Sequence, residues 1–81
     1  EAPEGLGAWA ERQESLGALN RAIARLTPEE RALVTLFYYE DCTVAECASI
    51  TATTEANVKV RLHRIRKKLY LMVKTELNEN E

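Results

Sequence analysis

The stretch that decides the fold is TVAECASITATTEANVKVRLHRIRKKL, residues 43–69. Thr43 and Glu46 have the spacing of a capping box, which favours the start of a short helix at this point. Residues 51–53, TAT, are a tight connection, and Thr54 is a good N-cap for a longer helix. We therefore predict a short helix, a turn and a second helix, which is the arrangement of a helix-turn-helix.

The longer helix has a single apolar stripe, in which steps of three and four residues alternate. Its members are Val58, Leu62, Ile65, Leu69 and Met72 or Val73. Residues 54–68 also hold six basic side chains and one acid, net +5, although the whole chain has 11 basic and 13 acidic side chains, net −2. With the stripe in the core, most of this positive charge points outward. The single acid of this stretch, Glu55, stands at the i,i+4 spacing from Lys59, and the other five cations have no Glu at that spacing.

Two further helices are predicted upstream. ESLGALNRAIARL, residues 14–26, has apolar residues at helical spacing, and Thr27, Pro28 and Glu30 have the pattern of a helix N-terminus. The predicted inner residues are Leu33, Leu36 and Phe37 for the helix after Thr27, and Val44, Cys47, Ala48 and Ile50 for the short helix. The expected fold is all-α, with four helices, a helix-turn-helix and no winged strands.

The predicted domain covers residues 15–76. Residues 1–14 are expected to be the end of an interdomain linker, which can include the start of the first helix, and residues 77–81 are expected to form a frayed tail. No transmembrane or signal segment is predicted. Cys42, Cys47 and His63 are too few for a zinc site, so we expect reduced thiols and neither metal nor cofactor.

The outward face of the basic helix suits double-stranded DNA, because cations that meet phosphates release condensed counterions. By position, Lys59, Val60 and His63 are expected to meet base edges in the major groove. The remaining predicted contacts go to the backbone or flank the groove, and they are Thr43, Thr54, Asn57, Arg61, Arg64 and Lys67, with Lys68 next to them. The sequence shows no nucleophile–base arrangement of the kind that would indicate an enzyme, so we do not expect one.

Residues 26–69, LTPEERALVTLFYYEDCTVAECASITATTEANVKVRLHRIRKKL, resemble the fourth conserved region of bacterial sigma factors, especially the extracytoplasmic-function (ECF) group. LTPEER, LFYYEDCT and NVKVRLHRIRKKL match the family pattern in order and spacing. The chain departs from that pattern at Ala52, where the family has Gly, at Thr51 and Thr53, where it has hydrophobic residues, and in NVKV, where it has TVKS.

The resemblance implies a role in transcription initiation. Region 4 of such sigma factors reads the promoter minus-35 element and docks on the β-subunit flap of core RNA polymerase. An anti-sigma factor often masks it, and a minus-10-binding domain normally precedes it. We accordingly expect these partners, a monomer, no membrane insertion and a cytoplasmic location.

Two other interpretations stay open at the level of sequence. The first is the DNA-binding output domain of a response regulator or quorum sensor, which also opens near LTP-x-E and would dimerise on palindromic DNA. The second is a protein-interaction module whose basic helix binds an acidic partner, with DNA affinity only incidental.

Overall fold

The computed structural model describes the backbone of residues 4–79 and the side chains of residues 12–79. The elements are α1 (Glu4–Ala24), α2 (Pro28–Val34), one turn of π-helix (Thr35–Tyr39), α3 (Val44–Ile50) and α4 (Glu55–Glu79). Residues 4–79 contain no strand, and the predicted all-α helix-turn-helix fold is confirmed. The chain forms two compact units, one with α2, α3 and α4 as far as Lys68, the other with α1 and α4 from Leu69 onwards.

Two of the helices begin with complete capping boxes, as the sequence predicts. In α2, Thr27 Oγ1 accepts from the Glu30 backbone N–H at 3.2 Å, and Glu30 Oε1 accepts from the Thr27 N–H at 2.9 Å. In α3, the corresponding bonds join Thr43 and Glu46 at 3.1 and 2.7 Å. Each box satisfies backbone donors that would otherwise lack a partner at the helix end.

The turn of the helix-turn-helix is a Schellman motif with a non-glycine residue in its left-handed position. The Thr53 N–H donates to the Ala48 carbonyl at 2.9 Å and the Ala52 N–H to the Ser49 carbonyl at 3.3 Å. Ala52 has φ 59°, a left-handed conformation that favours glycine, which is the residue at this position in the sigma-factor pattern that the sequence resembles. The β-carbon makes this conformation cost about 1–2 kcal/mol more than it would for glycine.

A continuous apolar core lies within the unit of residues 26–68. Its buried members are Leu26, Leu33, Val34, Cys47, Ala48, Val58, Leu62 and Ile65. The predicted stripe of α4 is thus confirmed at Val58, Leu62 and Ile65. Burial of each such aliphatic side chain stabilises the fold by about 1.5–3 kcal/mol, so these three side chains fix the orientation of α4 in this unit.

The prediction for the inner face of α2 is wrong in part. Leu33 is buried, but its buried neighbour is Val34, whereas Leu36 and Phe37 are only half-buried. The cause is the π-helical turn, in which the Glu40 N–H donates to the Thr35 carbonyl at 2.9 Å. A turn closed over five residues rotates the following side chains away from the α-helical register.

The prediction that Ile50 is an inner residue is also wrong, because its side chain is 60% exposed. Cys47 and Ala48 set the inward direction of α3, and Val44 is half-buried. At about 100° per residue, Ile50 lies about 110° from the mean direction of Cys47 and Ala48. The buried strip of α3 is therefore narrow, and Ile50 lies outside it.

The unit formed by α1 and the end of α4 is held by both apolar and ionic contacts. Ala18 and Ala22 of α1 are buried, and the Arg21 guanidinium pairs with the Glu76 carboxylate, with Nε 2.7 Å from Oε2. The hydrogen bond from Arg21 lowers the pKa of Glu76. Both helices are longer than expected, since residues 4–14 and 77–79 are helical, and residues 1–3 and 80–81 lie outside the described part.

Both cysteines are free thiols. Burial raises the pKa of Cys47, and partial burial, reinforced by the carboxylates of Glu46, Glu40 and Asp41, raises that of Cys42. Protonated thiols are poor nucleophiles and poor metal ligands. Within residues 4–79, no three His, Cys, Asp or Glu side chains come together as a metal site, and none of the helices has the length and hydropathy needed to cross a membrane.

We predict that Ala52→Gly stabilises the protein by about 0.5–1 kcal/mol, because relief of the left-handed strain exceeds the added entropy of the unfolded chain. The measurement is denaturant unfolding followed by circular dichroism. Ala45→Gly, at an exposed position inside α3, is the matched control and should destabilise by about 0.5–1 kcal/mol. Equal losses in both variants would contradict the turn geometry described above.

Glu30 makes stability depend on pH in the acid range. Its carboxylate accepts from the Thr27 N–H and from the Lys68 ammonium, 3.0 Å away, and these bonds lower its pKa from the ordinary 4.5. A carboxyl whose pKa is lower in the folded state adds stability above the unfolded pKa. That stability is lost as the pH falls through the folded value.

We therefore expect the melting temperature to decrease when the pH is lowered below about 4.5. Glu30→Gln should weaken this pH dependence. Glu76, whose pKa is also lowered, should account for part of the dependence that remains. Thermal melts across the acid range provide the measurement. Glu29→Gln, at the exposed neighbouring position, is the control and should keep the wild-type slope of melting temperature against pH in the acid range. An unchanged slope in Glu30→Gln would show that its hydrogen bonds do not hold the carboxylate in solution.

Candidate nucleic-acid interface

The first half of α4 presents the side chains that the sequence singles out for DNA contact. Because Val58, Leu62 and Ile65 point into the core, the residues between them must face outward. The exposed predicted contacts of this helix are Asn57, Lys59, Val60, Arg61, His63, Arg64 and Lys67. Val60 is an apolar side chain that is 46% exposed in the middle of this charged surface.

Two of the six basic side chains are engaged within the protein. Lys68 Nζ lies 3.0 and 3.3 Å from the two carboxylate oxygens of Glu30. The Arg66 guanidinium donates to the Tyr38 hydroxyl and lies 5.7 Å from the centroid of the Tyr38 ring and 6.0 Å from that of Phe37. These distances suit cation–π contact. Arg66 and Lys68 therefore tie α4 to α2 and the π-helical turn.

The other four cations make no ion pair or hydrogen bond with any residue of the described part of the chain. They are Lys59, Arg61, Arg64 and Lys67, which we call the free cations. At about 100° per residue they spread over about 200° of the outward side of the helix. An external polyanion is the partner that this arrangement fits, because each cation keeps its donors available.

One edge of this surface is marked by acidic side chains. A shallow groove of about 290 Å³ is lined by Thr27, Glu29, Glu30, Leu33, Arg61, Arg64 and Ile65. The carboxylates of α2 thus lie across the groove from Arg61 and Arg64. Carboxylates repel phosphate, so Arg61 and Arg64 lie at the border of the basic surface on this side.

The two threonine N-caps among the predicted DNA contacts differ in which of their donors remain available. Thr43 uses its backbone N–H and its hydroxyl oxygen in the capping box with Glu46, so only its hydroxyl hydrogen remains to donate. Thr54 Oγ1 accepts from the Asn57 backbone N–H at 3.1 Å, which confirms the predicted cap of α4. Eight of the nine predicted contacts therefore lie on α4 or at its N-cap, and Thr43 stands at the start of another helix.

Three residues that shape the site were missed from the sequence. Tyr38 and Glu30 engage Arg66 and Lys68 from positions 28 and 38 residues earlier, and helical periodicity carries no signal for such pairs. Thr53 Oγ1 accepts from the Asn57 side-chain amide at 2.7 Å. The i,i+4 spacing of a threonine and an asparagine across a helix start could have indicated this last contact.

The exposed side chains of α4 are of the types that can bind in the major groove of DNA. A helix that follows a tight turn can enter the groove with its N-terminal turns, where Lys and Asn donate to base acceptors and an apolar side chain contacts the thymine methyl. Cations farther along neutralise phosphates and fix the register. None of these roles requires a cofactor.

The chain matches the model of a known protein family. A family model described as "Sigma-70, region 4" matches residues 16–69, about two thirds of the 81 residues. The matched range contains α2, α3, the turn and all four free cations. No curated protein matches the chain.

Lys67→Ala and Lys68→Ala remove one charge each and form a matched pair for a binding test. We predict that Lys67→Ala weakens binding to a DNA duplex and lowers the slope of log affinity against log salt by about 1, the value for one lost phosphate contact. Lys68→Ala should leave the slope close to that of the wild type, because this ammonium is held by Glu30. Fluorescence anisotropy at several salt concentrations measures both, and equal slopes would contradict the division into free and engaged cations.

Proposed function

The chain belongs to the sigma-70 region 4 family, and on that premise we propose that it is the minus-35-reading domain of an ECF sigma factor, with α4 as its recognition helix. Region 4 is a DNA-binding transcription domain for the minus-35 promoter element and works with RNA polymerase; it is not an enzyme family. The ECF assignment is supported by the RLHRIRKKL motif, residues 61–69.

The observation that carries this proposal is the set of four free cations on the exposed side of a helix that follows the turn. In the major groove, Lys59 would donate to guanine O6 or N7, Val60 would contact a thymine methyl, and His63 would donate to a base or phosphate acceptor. Phosphates would be held by Arg61, Arg64 and Lys67, with the hydroxyl of Thr43 and the N-terminus of α4 at Thr54 as further donors.

A second surface supports docking on polymerase. A largely apolar groove of about 480 Å³ lies between α2, the π-helical turn and α3, and its lining residues are Pro28, Arg31, Ala32, Thr35, Leu36 and Ile50. We propose that the β-subunit flap of core RNA polymerase binds there. Such binding would account for the exposure of Ile50, because an apolar side chain exposed to water does not stabilise the isolated domain.

None of the residues that line the docking groove belongs to α4. DNA and polymerase would therefore be held by different side chains and bind at the same time. An anti-sigma factor that covered either surface would block initiation. We expect the domain to act as a cytoplasmic monomer, and the family match over the helix-turn-helix favours this function over a dimeric response-regulator output domain.

Two variants should separate the two surfaces. We predict that Lys59→Glu combined with Arg64→Glu lowers affinity for a minus-35 duplex on the order of 100-fold at low salt, because two cations become repulsive. This double variant should still co-elute with core RNA polymerase on a sizing column. Ile50→Asp, at an exposed position that tolerates a charge, should bind DNA normally and weaken co-elution about 10-fold or more.

The charge-reversed parent protein should also fail in promoter-directed transcription in vitro. Transcription at the wild-type level would exclude α4 as the recognition helix. Normal co-elution of Ile50→Asp would exclude the groove as the docking site, without affecting the DNA-binding proposal. Melting curves of both variants control for loss of folding.

A further inference from the structure

An amide side chain at the start of α4 is held by the turn that precedes it. Asn57 Nδ2 donates to Thr53 Oγ1 at 2.7 Å, and the Asn57 backbone N–H donates to Thr54 Oγ1 at 3.1 Å. Thr53 is half-buried, and its own N–H donates to the Ala48 carbonyl at 2.9 Å. The exposed carboxamide of Asn57 is therefore anchored to a fixed part of the helix-turn-helix.

The same helix position carries a different group in the two other capped helices. In α2 and α3 the third helical residue is a glutamate, Glu30 or Glu46, that bonds back to the N-cap backbone. In α4 this position is Asn57, which is neutral and bonds to Thr53 instead. A carboxylate here would face the phosphates of bound DNA and repel them. The amide keeps a fixed side chain at this position without that repulsion.

Thr53 and Asn57 are also two of the positions at which the chain departs from the family pattern. In the sigma-factor pattern that residues 26–69 resemble, a hydrophobic residue stands at the position of Thr53 and a threonine at that of Asn57. The two departures contact each other through one hydrogen bond. The hydroxyl of Thr53 therefore has a specific partner, the side chain of Asn57. A threonine tolerated only because its turn is exposed to solvent would not need such a partner.

The hydrogen-bond inventory of the amide limits what it can read. A carboxamide has two N–H donors and one oxygen acceptor. With one N–H given to Thr53, Asn57 keeps one N–H and its oxygen. This is the pair that binds N7 and the N6 amino group of adenine in the major groove. In the reversed orientation the side chain would offer two N–H donors, which would favour the N7 and O6 acceptors of guanine.

We propose that Asn57 reads an adenine of the minus-35 element and that Thr53 is its positioning residue. The proposal rests on the proposed function, because it needs the N-terminal turn of α4 in the major groove. Thr53 itself touches no base. It holds the carboxamide in the orientation that adenine requires, so that this orientation is already selected before DNA binds.

The test begins with selection of duplexes by the wild-type chain at low salt from a library with randomised base pairs, and Asn57→Ala is selected in parallel. We expect one adenine to be required by the wild type and not by Asn57→Ala. Dissociation constants are then measured for the selected duplex and for the three duplexes with another base at that position. The wild type should prefer adenine about 10-fold.

The matched pair at the positioning residue is Thr53→Val, which has the same shape without the hydroxyl, and Thr53→Ser, which retains it. Thr53→Val should reduce the preference for adenine to about 2–3-fold, whereas Thr53→Ser should keep the wild-type preference. Lys67→Ala provides a control, since it should weaken all four duplexes by the same factor and leave the base preference unchanged. A purely structural role of Thr53 would change the melting temperature without changing the base preference.

Several outcomes would overturn the inference. The inference is wrong if Thr53→Val keeps the full base preference, or if the base whose recognition depends on Asn57 is a guanine. It is also wrong if Asn57→Ala selects the same sequence as the wild type. In all three cases the proposed function would stand. If the wild-type chain selects no sequence at all, both the proposed function and this inference fail.

Discussion

The burial of Val58, Leu62 and Ile65 on one side of α4 is the constraint on which the rest of the structure depends. Once these three side chains lie in the core, the helical repeat fixes the direction of every other residue between Thr54 and Lys68. The cations then have no inward position available to them. The position of the positive charge on the outward side of α4 is thus a consequence of apolar packing on the inward side.

Much of the fold could be predicted because it depends on contacts close together in the sequence. Capping boxes join residues three apart, and the apolar stripe of α4 repeats every three or four residues. Thr27, Thr43 and Thr54 therefore start helices where expected, and the exposure of the predicted α4 contacts follows from the same repeat. The left-handed backbone at Ala52 could be anticipated only by comparison with a pattern that has glycine there.

The remaining features depend on contacts between distant residues. The sequence gives the direction of Arg66 and Lys68 on the helix, but it does not say that Tyr38 and Glu30 stand opposite them. Nor do apolar residues at helical spacing in α2 reveal that the helix changes to a π-helical turn, which leaves Leu36 and Phe37 only half-buried. Helical periodicity is a property of one element, whereas these outcomes are decided by its neighbours.

The division of the basic residues of α4 into free and engaged cations determines how strongly the chain is expected to bind DNA. With four free cations, the isolated chain should bind with modest affinity and strong dependence on salt. The proposed attachment to polymerase would compensate for this, since it would raise the effective concentration of the domain at the promoter. Glu30 also affects the number of available cations, because it caps α2 and at the same time engages Lys68, which is therefore not one of the free cations.

The π-helical turn Thr35–Tyr39 also bears on how the family is compared across species. Such a turn accommodates one residue more than the α-helix it interrupts. A relative whose second helix stays α-helical to its end would have one residue fewer here, so a correct alignment of the two needs a single-residue gap inside a helix. Placing that gap in the following loop instead would misalign Tyr38, and the aromatic partner of Arg66 would disappear from the comparison although the protein retains it.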